Sequence, residues 1–163
     1  MLDLGEFDLD LARRETRVVY PEPPSGLPAG PLVFREHYCD EPRCDCRRVL
    51  ILVTDEKGTT LAGLNYQFEP PRPGDPEPSQ LELDPLNPQS RHSEWLRNVF
   101  AWMVLDRAYH DRLVRHYTLF KAAVDDPRHP RHAAVRSAAH DDPEHRPAFP
   151  KKPAAKKKKK KKV

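Results

Sequence analysis

Apolar and polar positions alternate along residues 32–39 (LVFREHYC): Leu32, Phe34 and Tyr38 share one face, with Val33, Arg35, His37 and Cys39 on the other. That is the period of a β-strand. In 47–54 (RRVLILVT), Val49, Ile51 and Val53 face one way and Leu50 and Leu52 the other. A strand apolar on both faces is predicted to be central and covered on both sides. DEKG at 55–58 is a turn signal, and in 59–68 Leu64, Tyr66 and Phe68 alternate against Asn65 and Gln67. The three segments predict an antiparallel meander. Leu81 and Leu83 predict a short edge strand, stopped by Pro85 and Pro88.

The period then changes. Within 93–105, Leu96, Val99, Phe100 and Met103 recur at helical spacing, with Trp95 and Trp102 broadening the stripe and Ser90 or Ser93 placed to cap. Residues 107–124 carry Tyr109, Leu113, Tyr117, Phe120 and Val124 on one helical face. Asp106 is placed to end the first helix and cap the second; one long helix bent at Asp106 is the alternative. The predicted fold class is α+β, a small antiparallel meander packed against two C-terminal helices.

The flanks read differently. Phe7-Asp8-Leu9-Asp10-Leu11 alternates with period two, which predicts a strand, and 21–31 (PEPPSGLPAGP) holds five prolines and two glycines, a linker or extended crossing. Residues 69–79 hold five more prolines and predict a loop. From 125 onward there are six prolines, four histidines, Phe149 as the one large apolar residue, and the ending KKPAAKKKKKKKV. Such a segment buries too little apolar surface to offset ordering, so disorder is expected. The predicted organisation is an N-terminal strand and linker over 1–30, an α+β domain over 31–124, and a disordered His/Pro-rich and polylysine tail over 125–163.

Charge modifies this picture in one respect. The chain is formally +3, but nine of its 28 basic residues lie in 151–162, leaving 19 against 25 acidic residues in 1–150, a net of −6. The body is therefore mildly acidic, which excludes a basic nucleic-acid-binding domain. Lys151–Lys162 is expected to bind nucleic acid or other polyanions without sequence selectivity, in a salt-dependent way. No aromatic residue interleaves these lysines, so stacking on single strands is not expected. The longest apolar runs, such as VLILV at 49–53, fall far short of a membrane helix. The opening MLDLGEFDLDLARRE lacks a basic n-region, so no signal peptide is expected. Three cysteines without a secretion signal predict a reducing, cytoplasmic setting.

All three cysteines fall within eight residues, Cys39-Asp-Glu-Pro-Arg-Cys44-Asp-Cys46, in the connection between the first two meander strands. Thiolates suit zinc, and clustering them at a strand–turn–strand corner carries little loop-closure entropy. Pro42 stiffens the turn, while Arg43, Arg47 and Arg48 offset thiolate charge. A tetrahedral structural site needs a fourth ligand. His37, on the strand face of Cys39, and His116, beside Leu113, Tyr117 and Phe120 on the second helix, are both candidates, and spacing leaves them open. A buried thiol as a small hydrophobe, and a core histidine held by hydrogen bonds, are the competing structural explanations.

The segment YCDEPRCDCRRV at 38–49 resembles a segment of uncharacterised bacterial proteins that pair a tyrosine–cysteine step with a short acidic, proline-containing turn and a CDCRRV run. Some members of that group end in a SEC-C zinc-binding motif, which has no counterpart here. RHYTLFK at 115–121 is similar to the group's helical end. The resemblance implies a zinc-stabilised fold over 31–124 with Cys39, Cys44, Cys46 and His116 as ligands, and implies no reaction.

Other chemistries have less support. Arginines beside Cys44 and Cys46 favour thiolates, so a thiol redox or redox-sensing role for Cys44 and Cys46 is the alternative. However, C-x-C makes a strained disulfide and no C-x-x-C is present. There is no G-x-S-x-G, Gly-rich phosphate loop or H-E-x-x-H. The four tail histidines, His129, His132, His140 and His145, offer a loose metal-binding tract. The reading is a non-enzymatic interaction module with a structural zinc site and an unspecified protein partner.

Overall fold

In the computed structural model, which describes residues 1–22, 26–70 and 79–141, the alternating segments form the strands β3 (Leu32–Tyr38), β4 (Arg48–Thr54) and β5 (Thr60–Gln67). All neighbours pair antiparallel, with Phe34 opposite Val53 and Ile51 opposite Leu64. β6 (Leu81–Leu83) adds the expected short strand beside β5. β4 is central. Val49, Ile51 and Val53 are fully enclosed on one of its faces; on the other, Leu50 is buried and Leu52 half-buried. Opposite Leu52 stands Gly63, where a Cβ would lie 2.7 Å from Cβ of Asn87. Only glycine lets the 84–89 segment approach the sheet this closely.

The two helical segments fold as α3 (Ser93–Met103) and α4 (Arg107–Asp125). They are separate helices: the Asp106 carboxylate accepts from the Ala108 N–H 3.0 Å away, as an N-cap. The start of α3 differs from expectation. Its N-cap is His92, which makes no side-chain cap, while the Ser90 hydroxyl accepts from the His92 N–H. Leu96, Phe100 and Met103 of α3 and Tyr109, Leu113, Phe120 and Val124 of α4 pack on the inner face of the sheet. Phe34 and Phe100 stack at 6.2 Å, and Tyr38 meets Phe120 at 5.8 Å. This is the α+β architecture of sheet on helices.

The N-terminal expectation is corrected. Residues 7–11 are not a strand. They lie across α1 (Leu4–Phe7) and α2 (Leu9–Glu15), flanked by β1 (Leu2–Asp3) and β2 (Arg17–Val19). Asp3 accepts from the Gly5 N–H and Asp8 from the Leu11 N–H, so two aspartates act as N-caps and outweigh a short alternation. Leu4 and Leu11 go into the core, and Leu9, which a half-buried strand would place beside Leu11, is exposed. Both β1 and β2 pair with the outer edge of β3. Residues 1–20 therefore belong to the same sheet and core as the meander.

The expectation of disorder from 125 is corrected for 126–141. These residues form turns and α5 (His132–Asp141). Val135 is 2% exposed in the core, His132 Nδ1 lies 2.9 Å from the Ala123 carbonyl, and Arg131 reaches Asp8 and the Phe7 carbonyl at 2.8 Å. One valine with polar anchors carries too weak a periodic signal to be seen in composition. The expectations for 142–163, for 23–25 of the first proline-rich loop and for 71–78 of the second lie outside the described residues.

Candidate metal centre

Cys39 follows the last residue of β3, and Cys44 and Cys46 precede β4. The connection turns back on itself with Arg43 at φ 61° and Arg47 at φ 35°, conformations that bulky residues adopt only when their surroundings hold them. Several contacts hold them here. The Arg43 N–H donates to Asp125 at 2.8 Å, and the Cys44 N–H donates to the Glu41 carbonyl at 3.3 Å. The ammonium of Lys121, 7% exposed, donates to the Glu41 carbonyl at 2.8 Å and pairs with Asp125 at 3.2 Å. From the other side, the N-terminal amine reaches Asp40 at 3.2 Å, and Arg136 of α5 donates to the Asp40 carbonyl at 3.3 Å. The loop is thus clamped by the end of α4, by α5 and by the N-terminus.

The result is a convergence of thiols. One sulfur from each of Cys39, Cys44 and Cys46 lies within 4.8 Å of the other two, and none is in a disulfide. All three residues are half-buried. The thiol of Cys39 is pulled down to about 5, first by the Cys46 thiol donating to it. The Glu41 backbone N–H, the Cys44 thiol and the nearby Lys121 ammonium act in the same direction, and burial opposes them. Cys46 moves the opposite way, because it would have to ionise beside the Cys39 thiolate. Cys39 and Cys46 titrate as a pair, the first holding a negative charge readily and the second ionising only with a cation between them. The cysteines can therefore hold a metal ion, and three thiolate donors fit a soft or borderline cation.

The cationic surroundings differ from expectation. Arg47 is paired with Glu69 at 2.7 Å, and the buried cation acting on the thiols is Lys121. Lys121 and Asp125 were missed by sequence reasoning. Their signal was available: Lys121 lies four residues past Tyr117 and four before Asp125, beside the apolar stripe of α4.

Neither histidine candidate joins the thiols. His116 is fully buried, but its Nδ1 lies 2.6 Å from Glu36 Oε2 and its Nε2 3.1 Å from Glu15 Oε2. With both ring nitrogens facing carboxylates, none is left for a metal. His37 Nε2 lies 3.4 Å from Asp3, and its Nδ1 3.3 Å from the Arg35 carbonyl. Among the described residues the group able to hold a metal is Cys39, Cys44 and Cys46 alone. The expectation of His116 as fourth ligand is corrected on this geometry: it is a core histidine bridging β3 and α2, and Glu36 also accepts from the Tyr38 hydroxyl at 2.8 Å. Glu36 shares the face of Phe34 and Tyr38, so its burial was implied by strand parity.

No protein-family model, curated protein or solved structure matches this chain. Among the described residues no helix is long and apolar enough to cross a membrane.

Proposed function

We propose that the protein is a non-enzymatic interaction module whose corner is stapled by Zn2+ held by the thiolates of Cys39, Cys44 and Cys46. The observation that carries this reading is the convergence of three unpaired thiols in a turn already fixed by Asp125, Lys121 and the Glu41 N–H. Zinc removes the repulsion that keeps Cys46 protonated, and the Lys121 ammonium offsets the residual negative charge of a three-thiolate site. With His37 and His116 engaged elsewhere, the fourth position falls to water or to a group outside the described residues. The similarity of YCDEPRCDCRRV to the bacterial group with SEC-C members supports a zinc-stabilised fold. Lys151–Lys162 adds nonspecific affinity for nucleic acid or other polyanions, since the acidic body offers none, and a reducing, cytoplasmic setting keeps the thiols free.

The test is elemental analysis and native mass spectrometry of the full chain, purified without a nickel column. One zinc per chain is expected, lost in Cys44→Ser together with about 2 kcal/mol or more of stability to unfolding, because binding free energy is folding free energy in such sites. Cysteine substitution distinguishes the site from the tail histidines. A well-folded protein with no metal, whose Cys44 and Cys46 are alkylated rapidly, would replace this reading with the thiol redox one.

A further inference from the structure

The three thiols meet without a fourth donor. One sulfur from each of Cys39, Cys44 and Cys46 lies within 4.8 Å of the other two, and among the described residues no imidazole or carboxylate joins them. The acidic side chains that hold the turn are engaged elsewhere. Asp125 accepts from the Arg43 N–H at 2.8 Å and pairs with Lys121, and Asp40 pairs with the N-terminal amine at 3.2 Å. His37 and His116 both face carboxylates. A divalent cation that prefers four ligands is left with one position open here, and with a net negative charge on its three thiolates. Three sulfurs alone suit a different class of ion.

The donor set exists before any ion arrives. The positive φ of Arg43 and Arg47 is held by contacts that need no metal, from the end of α4, from α5 and from the N-terminus. A ligand that takes all three sulfurs therefore orders little new chain. None of the three cysteines is in a disulfide, and all are half-buried, not sealed in the core. A small solute can reach them.

We propose that Cys39, Cys44 and Cys46 form a three-sulfur site for a trivalent metalloid, with arsenite as its representative. This rests on reading the three thiols as one metal centre, and names the class of ion that the centre is shaped to take. Arsenic(III) is soft and holds thiolate sulfur in preference to nitrogen or oxygen. It is complete with three ligands in a pyramid, because a lone pair occupies the remaining direction, so the missing fourth donor is no defect. Arsenous acid is uncharged at neutral pH and so is its complex with three thiolates, which leaves no net charge to desolvate at the half-buried corner. The step balances. Three As–O bonds break, three As–S bonds form, and each thiol proton leaves with one hydroxide as water; a cysteine already ionised draws that proton from solvent. Arsenic stays trivalent, so no oxidant or reductant takes part.

The test incubates the full chain, reduced and purified without a nickel column, with sodium arsenite and excess glutathione. Bound arsenic and zinc are read by elemental analysis, mass by native mass spectrometry, and the neighbours of arsenic by X-ray absorption. One arsenic per chain is expected, with a mass gain of one arsenic less three hydrogens over the metal-free chain, three sulfur neighbours, no oxygen neighbour, and departure of any bound zinc. Glutathione, a monothiol, should not strip it, because the protein's three donors share one turn. Cys44→Ser should lose its arsenic to glutathione. The neighbour count is read on the wild-type chain, so it decides the matter even where Cys44→Ser does not fold. Zinc retained with no arsenic taken up would overturn this inference and leave the zinc reading standing. Arsenic held by two sulfurs and an oxygen, or retained equally by Cys44→Ser, would also overturn it. A chain that takes neither ion would overturn both readings, whereas three sulfurs around arsenic in a chain that never holds zinc would support this one and remove the other.

Discussion

Replacing His116 with leucine tests the account of the protein's interior. Leucine is close to histidine in volume, so packing beside Leu113 and Phe120 is largely kept while both ring-nitrogen contacts are lost. Glu36, whose side chain has no exposed surface, then keeps only the Tyr38 hydroxyl on Oε2 and has no partner on Oε1. Glu15 is affected less, because it is partly exposed and still paired with Arg115. Removing the partner of a fully buried carboxylate costs about 3–5 kcal/mol, chiefly through the group left behind. Losing the partly exposed Glu15 contact adds about 0–1 kcal/mol. With a urea slope of about 2 kcal/mol per molar, the unfolding midpoint of His116→Leu should fall by roughly 2 M. Adding Glu36→Gln removes the stranded charge, and the double variant should recover about 2 kcal/mol relative to His116→Leu alone. Metal content per folded chain should stay at the wild-type value, because the ring touches carboxylates and not thiols. A loss below about 1 kcal/mol, no recovery in the double variant, or disappearance of the metal from a folded His116→Leu would each refute this reasoning.

Two further outcomes follow from charge. The Glu15 carboxyl is held below its ordinary value of 4.5, first by the hydrogen bond from Arg115 and also by His116, and Asp8 is lowered first by the Leu11 N–H. The unfolded chain therefore takes up protons at higher pH than the folded one, so stability should be level above about pH 6 and fall as pH drops below 5. Glu15→Gln should flatten that decline in urea titrations across pH 3–6; an unchanged slope would refute the assignment. Deleting 151–163 should abolish retention of nucleic acid at low salt, and retention by the full chain should fall steeply as salt rises. Retention surviving the deletion would place binding on the folded body.

Much of the architecture was legible because its causes are local. Period-two alternation follows from strand geometry whatever the neighbours are, and so marked β3, β4 and β5. The i, i+4 stripe of α4 and the capping carboxylate of Asp106 are likewise properties of a few consecutive residues. The thiol cluster was legible for the same reason: Cys39, Cys44 and Cys46 are close in sequence, and a turn between two paired strands brings them together. Residues 7–11 were misread because alternation and capping competed within five residues, and the Asp3 and Asp8 caps prevailed once Leu4 and Leu11 had a core to enter.

Tertiary structure alone decided what joins distant segments. His116 meets Glu36, 80 residues away, and Glu15, 101 residues away. No local pattern shows that a histidine on an apolar helix face will find two carboxylates and not three thiols. Lys121 and Asp125 reach the cysteine turn only because the end of α4 packs beside it. α5 is ordered by Val135 and by contacts to Ala123, Asp8 and Asp40, which exist only after the rest has folded. The sequence by itself determined the periods, the caps and a thiol triplet, because these depend on backbone geometry and short-range contacts. Which partner each buried charge receives depends on how the layers stack, since a desolvated charge must be matched by whatever group the packing places beside it.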